Sequence, residues 1–177
     1  MASCIQTGNQ SVLDHGESVW EYTQKILNGE KKELRLPKWL TDNFEEVIEN
    51  VHKRSIIEEY NVLHDCGKPF CLEIDEEGKR HFPNHASVSR DTYLKLPDSN
   101  LIVANLIGWD MAMHTYTAEE IGNLNLSKAN AYTLLVTALA ELHSNSVMFG
   151  GIDSISFKSK WKKIDRRGNM IIKGGGQ

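Results

Sequence analysis

The sequence predicts an all-α fold interrupted by one short hairpin. Apolar residues recur at helical intervals through most of the chain, as in Val19, Tyr22, Thr23 and Ile26 or Ala131, Leu134, Leu135, Ala138, Leu139 and Leu142. That spacing keeps a stripe on one side of a helix. Glycine, asparagine or proline follows where such a stretch would stop, as at Asn28-Gly29 and Gly67-Lys68-Pro69. Only residues 70–82 break into two short extended runs around a turn.

In chain order, Ser18 caps a first helix reaching about Leu27. A charged connection, 30–38, follows it. Thr41 opens a second helix with Phe44, Val47, Ile48 and Val51 on one face, without a true capping box. A third, from about Ser55, turns Ile56, Ile57, Tyr60 and Leu63 inward and delivers His64 and Asp65 to its end. The hairpin pairs 70–74 with 79–82 around Asp75-Glu76-Glu77-Gly78. Asn84 caps a helix to about Leu94, and Pro97-Asp98 starts another that carries Asp110 toward its C-terminal part. Ser127 caps the longest helix, through about Ser144. Residues 152–172 are expected to be irregular or paired as short strands.

At 177 residues the chain is long enough for one core. The expectation is a single domain over 1–177, with 152–177 as a basic C-terminal extension. No apolar run approaches the roughly 18 to 20 residues needed to span a bilayer, and the first residues lack the pattern of a secretory signal. Cys4, Cys66 and Cys71 match no zinc framework and cannot all pair. Reduced thiols and a cytoplasmic location are the expectation.

Net charge is −4, unevenly spread. From Lys158 onward seven basic residues face one acid, a local +6, which leaves −10 on residues 1–157. An acidic body suits a cation site and a basic tail suits a polyanion. In the tail Phe157 and Trp161 stand between lysines, where they either stack a nucleic-acid base or anchor the segment to the body.

The stretch Val62-Leu63-His64-Asp65-Cys66-Gly67-Lys68-Pro69 carries the chemistry. An imidazole and a carboxylate side by side at a helix end can reach one ion, and Lys68 would follow at the rim, where an ammonium meets a phosphate. This octet resembles the signature of the HD superfamily of metal-dependent phosphohydrolases. His15, His81, His85 and Asp110 follow that family's order, so the resemblance spans roughly residues 12–115. It implies an HD-like helical bundle with the hairpin beside the site. It also implies one ion held by His15, His64, Asp65 and Asp110, and in two-metal members a second held by His81 and His85 with Asp65 bridging. In many HD proteins the first histidine lies inside the first helix, about where Tyr22 stands. Here His15, ahead of that helix, supplies the ligand from the loop, or the site lacks one imidazole.

The resemblance implies one or two divalent ions, with Mn, Fe, Co, Ni, Zn and Mg all open, and hydrolysis of a phosphoester by a metal-activated water. Asp65, Lys68 and His114 are the candidate catalytic residues. Lys68 and His114 would stabilise phosphoryl charge or protonate the leaving oxygen, and His114 shares a helix face with Asp110. Lys68, Lys158, Lys160 and Arg166 are candidate substrate contacts. The substrate class is a nucleotide or a phosphorylated or cyclic-phosphate nucleic-acid end, because overall acidity disfavours long duplex binding. Apolar helices of this kind are compatible with a homo-oligomer. The alternatives are a catalytically degenerate HD-fold nucleotide sensor and a helical adaptor whose basic tail meets an acidic partner.

Overall fold

The structure, a computed structural model, describes residues 1–174. Its helices are α1 (Val12–Leu27), α2 (Lys38–Asp42), α3 (Phe44–Asn50), α4 (Arg54–Leu63), α5 (His85–Tyr93), α6 (Leu101–Gly108), α7 (Ala112–Thr115), α8 (Ala118–Asn123), α9 (Lys128–Ser144) and α10 (Ile155–Gly174). The strands are β1 (Ile5–Thr7), β2 (Gln10–Ser11), β3 (Glu73–Ile74) and β4 (Arg80–His81). The fold is mainly α, as predicted. No described helix is long and apolar enough to cross a membrane. The chain forms two compact units: residues 1–18 with 54–110, and residues 19–53 with those from 111 onward.

In the first unit, α6 packs against α4 and α5. It buries Val103, Ala104, Leu106 and Ile107, and α4 buries Ile57 and Tyr60. Asn100 caps α6, its side chain accepting the Ile102 N–H at 2.9 Å, so the helix starts after Pro97-Asp98 rather than on it. Asp110 falls just beyond α6 instead of within it. The predicted hairpin is β3–β4, with Glu73 opposite His81; Asn84 stands at the N-cap position of α5 but its side chain makes no capping hydrogen bond.

The chain's start differs from expectation. β1 and β2 pair antiparallel around Gly8, whose φ is +52°, and α1 begins at Val12 rather than after Ser18. The cause is a reciprocal cap. Asp14 N–H donates to Ser11 Oγ at 3.1 Å, and Ser11 N–H donates to Asp14 Oδ2 at 3.0 Å, each side chain satisfying a backbone donor at the helix start. His15 therefore stands in the first helix and not in a loop before it.

In the second unit α9 is the centre, buried along nearly its whole length, with Ser127 capping it as predicted. Helices α3, α7 and α10 pack on it. The C-terminal segment corrects the expectation most plainly: Ile155–Gly174 is a 20-residue helix, longer than α9, and not irregular or strand-like. Phe157, Trp161, Ile164 and Gly168 recur at steps of four, three and four, which puts them on one face. A Cβ on Gly168 would fall 2.2 Å from the Trp39 ring, so only glycine lets that indole lie against the helix. Lysines at every second position masked this period in the sequence. Phe157 is fully buried and Trp161 donates its indole N–H to Arg35 O at 2.7 Å. Both aromatics anchor the helix rather than await a base.

Candidate metal centre

Two backbone approaches shape the site, both in the first unit. A Cβ on Gly16 would lie 2.4 Å from Val62 O, so at this point α1 runs directly against the backbone of α4. That contact sets His15 beside His64, with ring centroids 5.2 Å apart and edge-to-face and ligand nitrogens within 4.8 Å. A Cβ on Gly67 would lie 2.3 Å from Ser89 N. Here the turn after α4 lies on α5: Gly67 N–H donates to Ser89 Oγ at 2.9 Å and the Cys66 thiol to Ser89 O at 3.3 Å. Burial pushes the Cys66 thiol up to about 11, with the Asp65 charge adding to the effect, so it stays protonated. Cys4, Cys66 and Cys71 are free thiols.

Asp65 is the hub. It is almost fully buried. Its Oδ2 lies 3.2 Å from His64 Nε2 and 3.8 Å from His15 Nε2, and its Oδ1 lies 3.8 Å from His85 Nε2. Lys68 Nζ is 2.5 Å from Oδ2. Burial opposes the charge on Asp65. The charge and hydrogen bond of His64, with the charges of Lys68 and His15, outweigh it and hold the carboxyl well below its ordinary range. Lys68 is thus not at an open rim; it is buried and folded back on the carboxylate three residues before it.

The backbone fixes which nitrogen each ring presents. His64 Nδ1 is 2.7 Å from Asn61 O and His85 Nδ1 is 3.0 Å from Phe82 O. A carbonyl can only accept, so each Nδ1 carries the proton. A neutral ring then has its lone pair on Nε2, the atom nearest the carboxylate. For His64 that would set lone pair against lone pair at 3.2 Å. A second proton on the ring or a metal cation relieves the repulsion. An Nδ1–H held by a backbone carbonyl is also the usual second interaction of a metal-binding histidine. The donor set of imidazole nitrogens and one ionised carboxylate suits a Mn, Fe, Co, Ni or Zn ion. His15 and His64, with ligand atoms within 4.8 Å of one another, belong to a group that could hold such an ion.

The other expected residues are placed as follows. Asp110 accepts the Tyr60 hydroxyl at 2.6 Å, and the Tyr60 ring meets His64 edge-to-face at 6.5 Å, so Tyr60 touches both. His81, on β4, pairs with Asp75 at 2.7 Å on the exposed hairpin. In the second unit His114 Nε2 is 2.8 Å from Glu141 Oε2, Lys158 is 3.5 Å from Asp153, and the Lys160 ammonium lies 4.9 Å over the Phe149 ring. Arg166 is exposed on α10. Tyr22 stacks with His143 at 6.2 Å in that unit.

Sequence reasoning missed Tyr60, Asn61 and Ser89 as supports of the site. Tyr60 and Asn61 stand four residues before His64 and Asp65, one helical turn away, and that spacing was the available signal. Ser89 had none. Comparison with family models, curated proteins and solved structures finds no match to the chain.

Proposed function

We propose that the chain is a metal-dependent phosphohydrolase acting on phosphoesters of nucleotides or of phosphorylated or cyclic-phosphate nucleic-acid ends. The observation that carries this reading is the buried Asp65 carboxylate approached by Nε2 atoms of rings whose Nδ1–H groups are committed to backbone carbonyls. His15, His64, Asp65 and His85 would hold the ion. When bound, it would polarise a phosphoryl oxygen and bring the pKa of a bound water toward neutrality. The chain's own groups supply the rest. Lys68, resting on Asp65, offers an ammonium for phosphoryl oxygens. Tyr60 steadies Asp110 through its hydroxyl.

The test is phosphate release from a panel of mononucleotides, cyclic nucleotides and end-phosphorylated oligonucleotides under Mn, Mg, Co, Ni and Zn. The reading expects metal-stimulated turnover that disappears in His64→Ala and Asp65→Ala protein. No turnover of any substrate under any metal would overturn it.

One observation favours a second reading, a catalytically degenerate nucleotide sensor. Lys68 Nζ at 2.5 Å already gives Asp65 a counter-charge. Nucleotide binding that persists under all of these metals without turnover would select that reading.

A further inference from the structure

The second unit holds two neighbouring cavities along one flank of α10, and they share Lys163. The first, about 280 Å³, is walled by the half-buried Phe149 and by Leu142 and Ile164, with Lys160 and Lys163 at its side. The second, about 560 Å³, is walled by Tyr116 and Met170, with Lys163, Arg166 and Arg167. Each cavity therefore offers one aromatic ring and at least two cations, with Lys160 already lying over one face of Phe149 at 4.9 Å. Lys160, Lys163 and Arg167 step by three and four along the helix, which lines them up on one side. Arg167 is fixed there, donating Nε at 3.1 Å and Nη2 to Tyr116 O. Among the described residues one acidic side chain, Glu141, lines the first cavity, where it faces His114, and none lines the second.

We infer that this flank binds a short single-stranded nucleic acid, with one base in each cavity and the phosphate between them at Lys163. Sequence-tolerant strand binding combines cations that track the backbone with aromatic faces on which successive bases stack, and the two cavities repeat that unit twice. A lone phosphate would use one cavity. From Lys160 to Arg167 the helix rises about 10 Å, longer than any single phosphate group. A duplex keeps its bases paired and stacked, and would not fill two separate hollows. The inference names the substrate class for the phosphohydrolase reading and rests on that reading only for turnover.

Binding is measured on the full chain in EDTA, by the fluorescence anisotropy of labelled tetrathymidylate with thymidine monophosphate and a tetraglutamate peptide as competitors. The inference expects the tetranucleotide to compete at least about fivefold better than the mononucleotide, since a second stacked base is worth that much or more. Lys163→Ala, at an exposed position, should weaken binding about tenfold and flatten the slope of log affinity against log salt by about 0.7, one phosphate contact on a single strand. Lys162→Ala, equal in charge change but lining neither cavity, should stay within about twofold. Equal competition by the mononucleotide overturns the inference, as does equal competition by tetraglutamate. So does an equal loss in Lys162→Ala and Lys163→Ala, which would mean diffuse attraction. Strand binding without phosphate release under any metal would sink the hydrolase reading alone; mononucleotide turnover without strand binding would sink this one alone.

Discussion

Gly67→Ala tests whether close backbone contact, rather than glycine's flexibility, governs the turn that carries the site. Gly67 has φ −83° and ψ −15°, a conformation alanine adopts freely, so backbone entropy alone would make the substitution stabilising by about 0.4–1 kcal/mol. Space predicts the opposite. The new methyl would lie 2.3 Å from Ser89 N, 2.5 Å from Val88 C and 2.6 Å from Ser89 Cα, all backbone atoms. Ordinary carbon contacts need about 3.5–4.0 Å, so the turn and α5 must part by roughly 1 Å. Overpacking of that kind costs about 1–3 kcal/mol, and losing the buried Gly67 N–H to Ser89 Oγ bond adds about 1–3 kcal/mol. After subtracting the entropic gain, the net loss is about 1–5.5 kcal/mol, a fall in Tm of roughly 2–20 °C for a chain of this size. Urea unfolding followed by far-ultraviolet circular dichroism reads the first number and a thermal scan the second. A Gly67→Ala protein as stable as the parent, or more so, would refute the reasoning.

Further outcomes follow from the same contacts. Asp65→Ala leaves the Lys68 ammonium buried without its carboxylate and should cost about 3–5 kcal/mol; adding Lys68→Met should recover much of that in urea unfolding. Tyr60→Phe removes a hydrogen bond to a carboxylate and should cost about 1.5–3 kcal/mol, measured the same way. His143 is held neutral: burial lowers its pKa, the Leu139 carbonyl working against that. Its Nδ1 bonds Leu139 O at 2.7 Å and its Nε2 accepts Arg35 N–H at 2.9 Å. A lowered folded pKa means stability present above the unfolded value near 6.5 and lost as pH falls below it. Unfolding free energies at pH 7.5 and 5.5 should differ less in His143→Gln than in the parent, and an unchanged difference would contradict the assignment.

Much of this was legible in the sequence, and the exceptions have physical causes. The apolar period of α9, the hairpin between β3 and β4 and the helix end at His64-Asp65 are local signals, and the structure has them where the sequence puts them. The start of α1 was misplaced because Ser18 has the residue type of a cap, whereas the working cap is Ser11 with Asp14, preceded by a strand pair of only a few residues. α10 was misread because alternating lysines mimic a strand while the buried face follows Phe157, Trp161, Ile164 and Gly168. The doublet put an imidazole and a carboxylate at one helix end, and the two lie 3.2 Å apart there. That Lys68 folds onto Asp65, that Tyr60 bonds Asp110 and that Ser89 braces Gly67 are long-range or rotameric facts, set by packing across elements. Gly16 illustrates the difference: it reads as a poor helix former until Val62 O is seen 2.4 Å from where its Cβ would be.

The most direct test of the central claim is the metal content of the purified chain by elemental analysis after equilibration with Mn, Fe, Co, Ni or Zn and removal of loose ions. The account predicts at least one tightly held divalent ion per chain, lost in His64→Ala protein that is still folded by circular dichroism. A parent protein that retains none of these metals, or a His64→Ala protein that retains them equally well, would contradict it.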